Sequence, residues 1–168
     1  QPQFRFPPPQ AQQQAPSVVA QPQAQNQQYI NAIRQNETGG MANPNAAVGA
    51  AGETGAMQVL PSTLKNPGFG VTPAQNNSPE EANRVGRDYY NAMLNRYTDP
   101  LHAAGAYNAG PGTMDRAIHR AQTEGGNPLQ YLPASTQQYV ARFAQTIGHR
   151  PGSTAADNPA AARPWENP

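Results

Sequence analysis

The sequence predicts a mostly α-helical domain over residues 29–150, between a Gln- and Pro-rich arm (1–28) and a Pro- and Ala-rich tail (151–168). Within this domain apolar residues recur at steps of three and four, the spacing of a helix with one buried face. Clear helix start and stop signals separate these stretches. Segments that resemble strands, at 59–60 and 69–71, are too short for a sheet, so one small hairpin at most is expected.

The first two helices carry the clearest patterns. The first is short and ends near Glu37, with Tyr29, Ile30 and Ile33 facing inward. The second has a strong start, because Ser78 suits the N-cap, Pro79 the first turn and Glu81 the third position of a capping box. Its inward positions are Ala82, Val85, Tyr89, Ala92, Met93 and Tyr97.

Three more helices are predicted in the second half of the domain. Asp99-Pro100 breaks the preceding helix, and the Ala-rich stretch 101–107 forms the next one. After a turn over 108–112, Thr113 can cap a helix with Met114, Ala117, Ile118 and Ala121 inward. A last helix follows Pro133 and ends at Gly148 as C-cap. Its apolar face comprises Thr136, Tyr139, Val140, Phe143 and Ile147.

Composition excludes several classes of function. The 168 residues include 11 Lys and Arg against 10 Asp and Glu, which gives a net charge of +1. The sequence therefore lacks the excess of basic residues that is typical of a nucleic-acid-binding protein. There is no cysteine, and no apolar run is long enough to span a membrane. The histidines (His102, His119 and His149) lack metal-ligand spacing, and no phosphate-binding loop is present, so no metal or other cofactor is expected.

The two ends differ from the domain in composition. Residues 1–28 contain 11 Gln, 6 Pro and a single charged residue, Arg5. Such a segment has too little apolar surface to offset its chain entropy, which predicts a disordered tether or an arm that orders on a partner. The chain begins at Gln1 without a signal segment, so export by another route is expected.

Carboxylates are the remaining candidates for chemistry, and Glu37 stands out among them. It ends an apolar-patterned helix and is followed by Gly39-Gly40. Apolar walls around a carboxyl disfavour its charged form and raise its pKa toward that of a general acid at neutral pH. A solvated acid at a helix end is the alternative interpretation.

Four segments carry known motifs in a fixed order. They are Glu37-Thr38-Gly39-Gly40 with Asn43-Pro44-Asn45-Ala46, then Gly55-Ala56-Met57-Gln58, then Ala106-Tyr107-Asn108, and finally the Leu-Pro-x-x-Thr-x-x-Tyr-Val pattern of 132–140. Together they resemble the lytic transglycosylases of the soluble (SLT) family, which share a core with goose-type lysozyme. The likeness covers about residues 29–148.

The resemblance implies a lysozyme-like helical domain with a glycan-binding cleft. It implies that Glu37 is the catalytic acid/base and that Met57 and Gln58 line the sugar sites. Tyr107 and Asn108 match the motif that holds the substrate and steadies the acid, and Tyr139 matches the tyrosine that approaches the carboxyl. Met57 and Tyr139 have an alternative as plain core residues.

The sequence also departs from the family pattern. Thr38 stands where serine is usual and is counted with the substrate-binding residues, and Ala56 replaces leucine. Val48-Gly49 occupies the place of a serine that reaches the carboxyl in many relatives, so Thr38 or Thr54 is expected to substitute for it. The insert over 66–78 resembles phage-associated members of the family.

The expected function is therefore a peptidoglycan lytic transglycosylase that cleaves the MurNAc-β-1,4-GlcNAc bond and forms 1,6-anhydroMurNAc. A muramidase, with Glu53 positioning water, and a non-catalytic peptidoglycan-binding or structural virion component are the alternatives. The expected setting is a phage virion that opens the host cell wall from the periplasmic side during genome delivery, alongside other virion proteins or the rest of a longer parent chain. A bacterial periplasmic enzyme that assists secretion or conjugation is the rival setting.

Overall fold

The computed structural model of the protein describes residues 20–149, and this range is mostly helical. The α-helices are α1 (Ala20–Thr38), α2 (Pro61–Lys65), α3 (Pro79–Tyr97), α4 (Pro100–Ala109), α5 (Pro111–Glu124) and α6 (Ala134–Thr146), with 3-10 turns at Pro44–Ala46 and Pro128–Tyr131. Within the described range no strand forms. The expected hairpin is reduced to isolated antiparallel bridges from Thr54 to Val48 and Val59. The predicted fold class is confirmed.

Helix α4 lies at the centre and contacts α3, α5 and α6. Its residues Ala103, Ala104, Gly105 and Ala106 are all buried. A Cβ atom added to Gly105 would lie 3.1 Å from Leu132 Cδ1 and 3.3 Å from Met114 Sδ, both tighter than ordinary contacts. The small side chains of α4 therefore allow its neighbours to pack closely around it.

Helix α3 begins as the sequence predicts but buries a different tyrosine. The Ser78 hydroxyl accepts a hydrogen bond from the Glu81 backbone N–H at 3.2 Å, which confirms the N-cap. Tyr90 is fully buried, whereas Tyr89 is only partly buried. The face that packs inward includes Gly86, which the apolar pattern could not reveal because glycine has no side chain. The complete set of buried residues is Ala82, Val85, Gly86, Tyr90 and Met93.

The junction between α4 and α5 is tighter than predicted. Asp99 caps α4 by accepting hydrogen bonds from the backbone N–H groups of Leu101 and His102. The expected turn over 108–112 contracts to Gly110, whose φ of +84° favours glycine, and α5 begins at Pro111. The prediction that Thr113 caps α5 is wrong, because Pro111 at the first position already starts the helix two residues earlier.

Helix α1 is longer than predicted. It begins at Ala20, so residues 20–28, assigned to the arm, are helical. The Asn26 side chain donates to Asn91 Oδ1 at 2.9 Å, and the Gln28 side chain donates to the Ile147 carbonyl at 3.2 Å. These polar contacts attach the segment to the rest of the fold without an apolar stripe. The remainder of the arm, and the tail over 151–168, lie outside the described residues.

Candidate active site

Glu37 lies in the last turn of α1. The helix ends at Thr38 because Gly39 and Gly40 both have positive φ, at +58° and +79°. The Glu37 side chain is partly buried. The C-terminal end of a helix carries partial negative charge, which also disfavours a carboxylate at this position. The local structure thus places a carboxyl group where ionisation is costly.

Tyr139 of α6 provides the hydrogen bond to this carboxyl group. Its hydroxyl donates to Glu37 Oε1 at 2.7 Å, and the side chain is 3 % exposed. The neighbouring Asn36 donates from Nδ2 to the Tyr139 carbonyl at 2.9 Å, which holds the end of α1 against α6. Asn36 was not among the predicted site residues; its position directly before Glu37 was the only available signal.

The pKa of Glu37 is raised from its ordinary value of 4.5 to about 7. Burial is the largest cause and raises the pKa, whereas the Tyr139 hydrogen bond lowers it. The charge of Glu53 raises it further, and the charge of Arg142 lowers it. At neutral pH both protonation states of Glu37 are therefore populated, which is the condition for a group that gives and then takes a proton.

Tyr107 connects α4 to the loop that follows the first 3-10 turn. Its hydroxyl donates to the Met57 carbonyl at 2.7 Å. Burial raises the pKa of Tyr107 well above its ordinary value, and the charge of Glu37 raises it further. Tyr107 is therefore a neutral donor that holds this loop beside the carboxyl group.

The loop over 43–59 is shaped by amide side chains. Gln58 adopts a φ of +45° and donates from Nε2 to the carbonyls of Gly55, at 2.9 Å, and Ala47, at 3.2 Å. Asn83 of α3 accepts from the Met57 N–H at 3.2 Å and donates to Asn45 Oδ1 at 2.8 Å. No sequence signal pointed to Asn83, because it stands on a helix far along the chain.

Gly86 permits the close approach of this loop to α3. A Cβ atom added there would lie 2.5 Å from Met57 Cβ and 2.8 Å from Val59 Cγ2, so a larger residue would push the loop away. Met57 itself is 1 % exposed and belongs to the core. The alternative of a core role therefore fits its side chain, while its carbonyl receives the Tyr107 hydrogen bond.

The other predicted site residues fall into two groups. Thr38 is buried, and its hydroxyl donates to the Arg34 carbonyl of its own helix at 2.8 Å. Asn108 is exposed on α4, next to Tyr107. The structure thus brings Glu37, Tyr139 and Tyr107 together, leaves Asn108 facing solvent and uses the Thr38 hydroxyl inside α1. Substrate contacts by these residues remain predictions.

Neither a metal cluster nor a membrane-spanning helix is found in the described part of the chain. Across residues 20–149, no three acidic or histidine side chains are placed to hold a metal ion. None of the helices described combines the length and apolar character needed to cross a membrane.

Comparison with known families agrees with this geometry. The family model described as the transglycosylase SLT domain matches residues 16–130, more than half of the chain. The match includes Glu37, the loop with Gln58, and the Tyr107-Asn108 pair, while α6 with Tyr139 lies beyond its end. The chain therefore belongs to the SLT transglycosylase family, whose members are lytic transglycosylases that act on peptidoglycan.

Proposed function

We propose that Glu37 is the acid/base of a lytic transglycosylase that cleaves the MurNAc-β-1,4-GlcNAc bond and leaves a 1,6-anhydroMurNAc end. The observation that carries this proposal is a partly buried carboxyl group with a pKa of about 7, held by the Tyr139 hydroxyl at 2.7 Å. A single carboxyl group suffices because the substrate supplies its own nucleophile.

The reaction uses Glu37 twice. The protonated carboxyl gives its proton to the glycosidic oxygen as the bond from that oxygen to C1 of MurNAc breaks. The resulting carboxylate then accepts the proton of the MurNAc C6 hydroxyl as its oxygen forms the new bond to C1. No water is consumed and Glu37 ends protonated, ready for the next cycle. A pKa near neutrality suits both steps.

Two tyrosines support these steps. A hydrogen bond from Tyr139 to Oε1 favours the carboxylate, and Oε2 would face the substrate. Tyr107 fixes the Met57 carbonyl and with it the loop that would form one wall of the sugar site. Asn108, exposed beside Tyr107, is available to hydrogen-bond an N-acetyl or hydroxyl group. Thr38, Met57 and Gln58 complete the proposed substrate-binding set, chiefly by shaping the site.

Mass spectrometry of the soluble products from purified sacculi tests the reaction. Products that end in 1,6-anhydroMurNAc, one water lighter than reducing ends, are expected from the wild type and lost in Glu37→Gln. The matched control is Glu124→Gln, which changes a half-exposed acid paired with Arg120. Wild-type product yield from Glu37→Gln would reject the assignment. Binding to sacculi without product from any variant would favour a non-catalytic role.

A muramidase is the second candidate, and one observation favours it. Glu53 lies close enough for its charge to raise the pKa of Glu37, and its Oε2 accepts from the Ala51 N–H at 3.0 Å. A carboxylate in this position could direct a water molecule to C1. Reducing MurNAc ends that disappear in Glu53→Gln would establish hydrolysis in place of transglycosylation.

For the biological setting we propose a phage virion whose enzyme acts on the host cell wall from the periplasm. The support is the insert over 66–78, which resembles phage-associated family members. The partners in this setting are peptidoglycan glycan strands and other virion proteins, or further parts of a longer parent chain. Immunodetection in purified virions tests the setting. Detection in bacterial periplasm alone would instead assign the protein to a secretion or conjugation system.

A further inference from the structure

Phe69 is an unusual residue in the insert over 66–78. Its φ is +51°, between Gly68 at +68° and Gly70 at +75°. The left-handed conformation is unfavourable for an L-residue, and a bulky side chain there is rare. Its side chain is nevertheless 50 % exposed. Neither backbone preference nor full burial explains a phenylalanine at this point.

The ring of Phe69 continues a row of aromatic residues that starts at the candidate active site. It packs edge-on against Tyr89, with ring centroids 6.1 Å apart, and Tyr89 packs against Tyr107 at 5.9 Å. Tyr107 in turn holds the loop beside Glu37. We call Phe69 and Tyr89 the aromatic shelf; it is exposed at its outer end and joins the active site at its inner end.

The insert is held firmly enough to keep the shelf in place. The Ala74 N–H donates to the Leu64 carbonyl at 2.9 Å, and the Gln75 N–H donates to Glu81 Oε2 at 2.8 Å. The Arg84 guanidinium donates to the Pro73 carbonyl at 3.0 Å while it pairs with Glu81 at 2.8 Å. Ordering the insert before binding reduces the entropy that a ligand would have to offset.

A basic residue lies over the Phe69 ring, which is still half exposed. The Arg96 guanidinium lies 6.0 Å from the Phe69 centroid and 5.5 Å from the Tyr97 centroid, and it pairs with Asp115 at 2.8 Å. Since Asp115 balances its charge, Arg96 does not make the shelf a strongly cationic surface. An apolar ring with neutral polar surroundings favours an uncharged ligand that has an apolar face.

We propose that the aromatic shelf is a distal glycan subsite in which Phe69 stacks on a sugar ring of the strand whose scissile bond lies at Glu37. The C–H face of a β-linked pyranose covers an aromatic ring, and this burial removes apolar surface from water. The inference rests on the proposed function for the identity of the strand. It assigns to the insert a role in holding long glycans.

The test measures binding in a Glu37→Gln background, so that cleavage does not interfere. The probes are purified sacculi and a soluble β-1,4-linked N-acetylglucosamine hexamer. Phe69→Asn removes the ring but keeps a residue that tolerates positive φ. We expect its affinity for both probes to fall about 5- to 10-fold, as loss of partial burial of one aromatic side chain implies. Phe69→Tyr should bind within about twofold of the parent.

Tyr131→Ala is the matched control. Tyr131 is a partly buried aromatic that is likewise covered by an arginine, with the Arg120 guanidinium 4.5 Å from its centroid, but it lies on the turn that packs against α5. Its loss should leave affinity for both probes unchanged. In the active background, Phe69→Asn should raise KM on sacculi far more than it lowers kcat, while the melting temperature stays near the wild-type value.

Several results would overturn the inference. Unchanged affinity of Phe69→Asn, or a large fall in its melting temperature, would show that the ring is structural. A concentration-dependent dimer in sedimentation that Phe69→Asn abolishes would assign the shelf to a second copy of the chain. The proposed function fails separately, if Glu37→Gln still releases anhydro products from sacculi. In that case binding of the N-acetylglucosamine hexamer, which contains no MurNAc, would still measure the role of Phe69.

Discussion

Among the residues that the structure describes, two hydrogen bonds between a tyrosine and a carboxylate are alike in length but opposite in their effect on the pKa of the carboxyl group. Tyr139 donates to Glu37 at 2.7 Å, and Tyr97 donates to Asp115 at 2.8 Å. The pKa of Glu37 is raised to about 7, mainly by burial. Burial also acts on Asp115, but the hydrogen bonds from Tyr97 and Arg96 and the charge of Arg96 outweigh it and lower the pKa of Asp115.

The difference shows that the hydrogen bond alone does not set the protonation state. Asp115 has 44 % of its side chain exposed and a direct ion pair with Arg96. Within residues 20–149 no ion pair joins Glu37 to a basic side chain, and Arg142 acts on it only as a weaker charge. Where burial has the larger effect on the carboxyl pKa, a tyrosine–carboxylate pair is a candidate acid/base. Where a neighbouring cation has the larger effect, the pair is part of a surface ion pair.

Loss of the Glu37 carboxyl group should change catalysis more than any other substitution considered below. Glu37→Gln should lower kcat on sacculi by about 10²- to 10⁴-fold, the usual contribution of a general acid/base. Glu124→Gln, an exposed acid in an ion pair with Arg120, should stay within about twofold of wild type. The measurement is the rate of soluble-product release from sacculi, with both variants and the wild type at equal concentration. A fall of less than about tenfold in Glu37→Gln would contradict the assignment of Glu37 as the acid/base.

Glu37 and Asp115 should also affect stability with opposite dependence on pH. Folded Glu37 binds its proton more tightly than the unfolded chain, so its contribution to stability is full below about pH 4.5 and lost as the pH rises through about 7. Glu37→Gln cannot ionise and should raise the free energy of unfolding at pH 8 by roughly 2 kcal/mol, with little change at pH 4.

Asp115→Asn provides the opposite case. Because the folded pKa of Asp115 is lowered, its stabilisation is present at neutral pH and lost as the pH falls. The variant should be less stable at pH 8 by at most about 0.5 kcal/mol, since an exposed pair is screened by solvent. Urea unfolding at pH 4 and pH 8 measures both variants. Equal pH dependence in wild type and Glu37→Gln would contradict the raised pKa.

Tyr139→Phe should move the pH dependence of activity. Because the Tyr139 hydrogen bond lowers the pKa of Glu37, its removal raises that pKa. The alkaline limb of kcat/KM should shift upward by about one pH unit, alongside a loss of rate. Tyr97→Phe, the matched change at the other pair, should leave the limb in place. A downward shift in Tyr139→Phe would reject this role for the hydroxyl.

The smaller of the two shifts in the pH profile is expected at Glu53. Its charge raises the pKa of Glu37, so Glu53→Gln should lower that pKa and move the alkaline limb down by about half a unit. This sign is opposite to that of Tyr139→Phe, so the two profiles bracket the wild type. Complete loss of activity in Glu53→Gln would point to the muramidase alternative.

Much of the helical framework could be predicted from local signals. The Ser78 cap, the break at Asp99-Pro100 and the small residues of α4 depend on neighbours in sequence, and the structure has them where expected. The start of α1 could not be predicted, because side-chain hydrogen bonds of Asn26 and Gln28 to Asn91 and Ile147 attach it. Such contacts leave no apolar period in the sequence.

The candidate site, like the helices, has features that local sequence predicts and features that depend on distant contacts. The residues alone indicate that a carboxyl group stands at a helix end before two glycines, with ordered motifs around it. The protonation of that group depends on the tertiary structure, because packing buries it and the Tyr139 hydroxyl comes from α6, about a hundred residues away. The tertiary structure also placed Phe69 and Tyr89 in a row with Tyr107. A pKa depends on three-dimensional surroundings, which contacts between distant segments create.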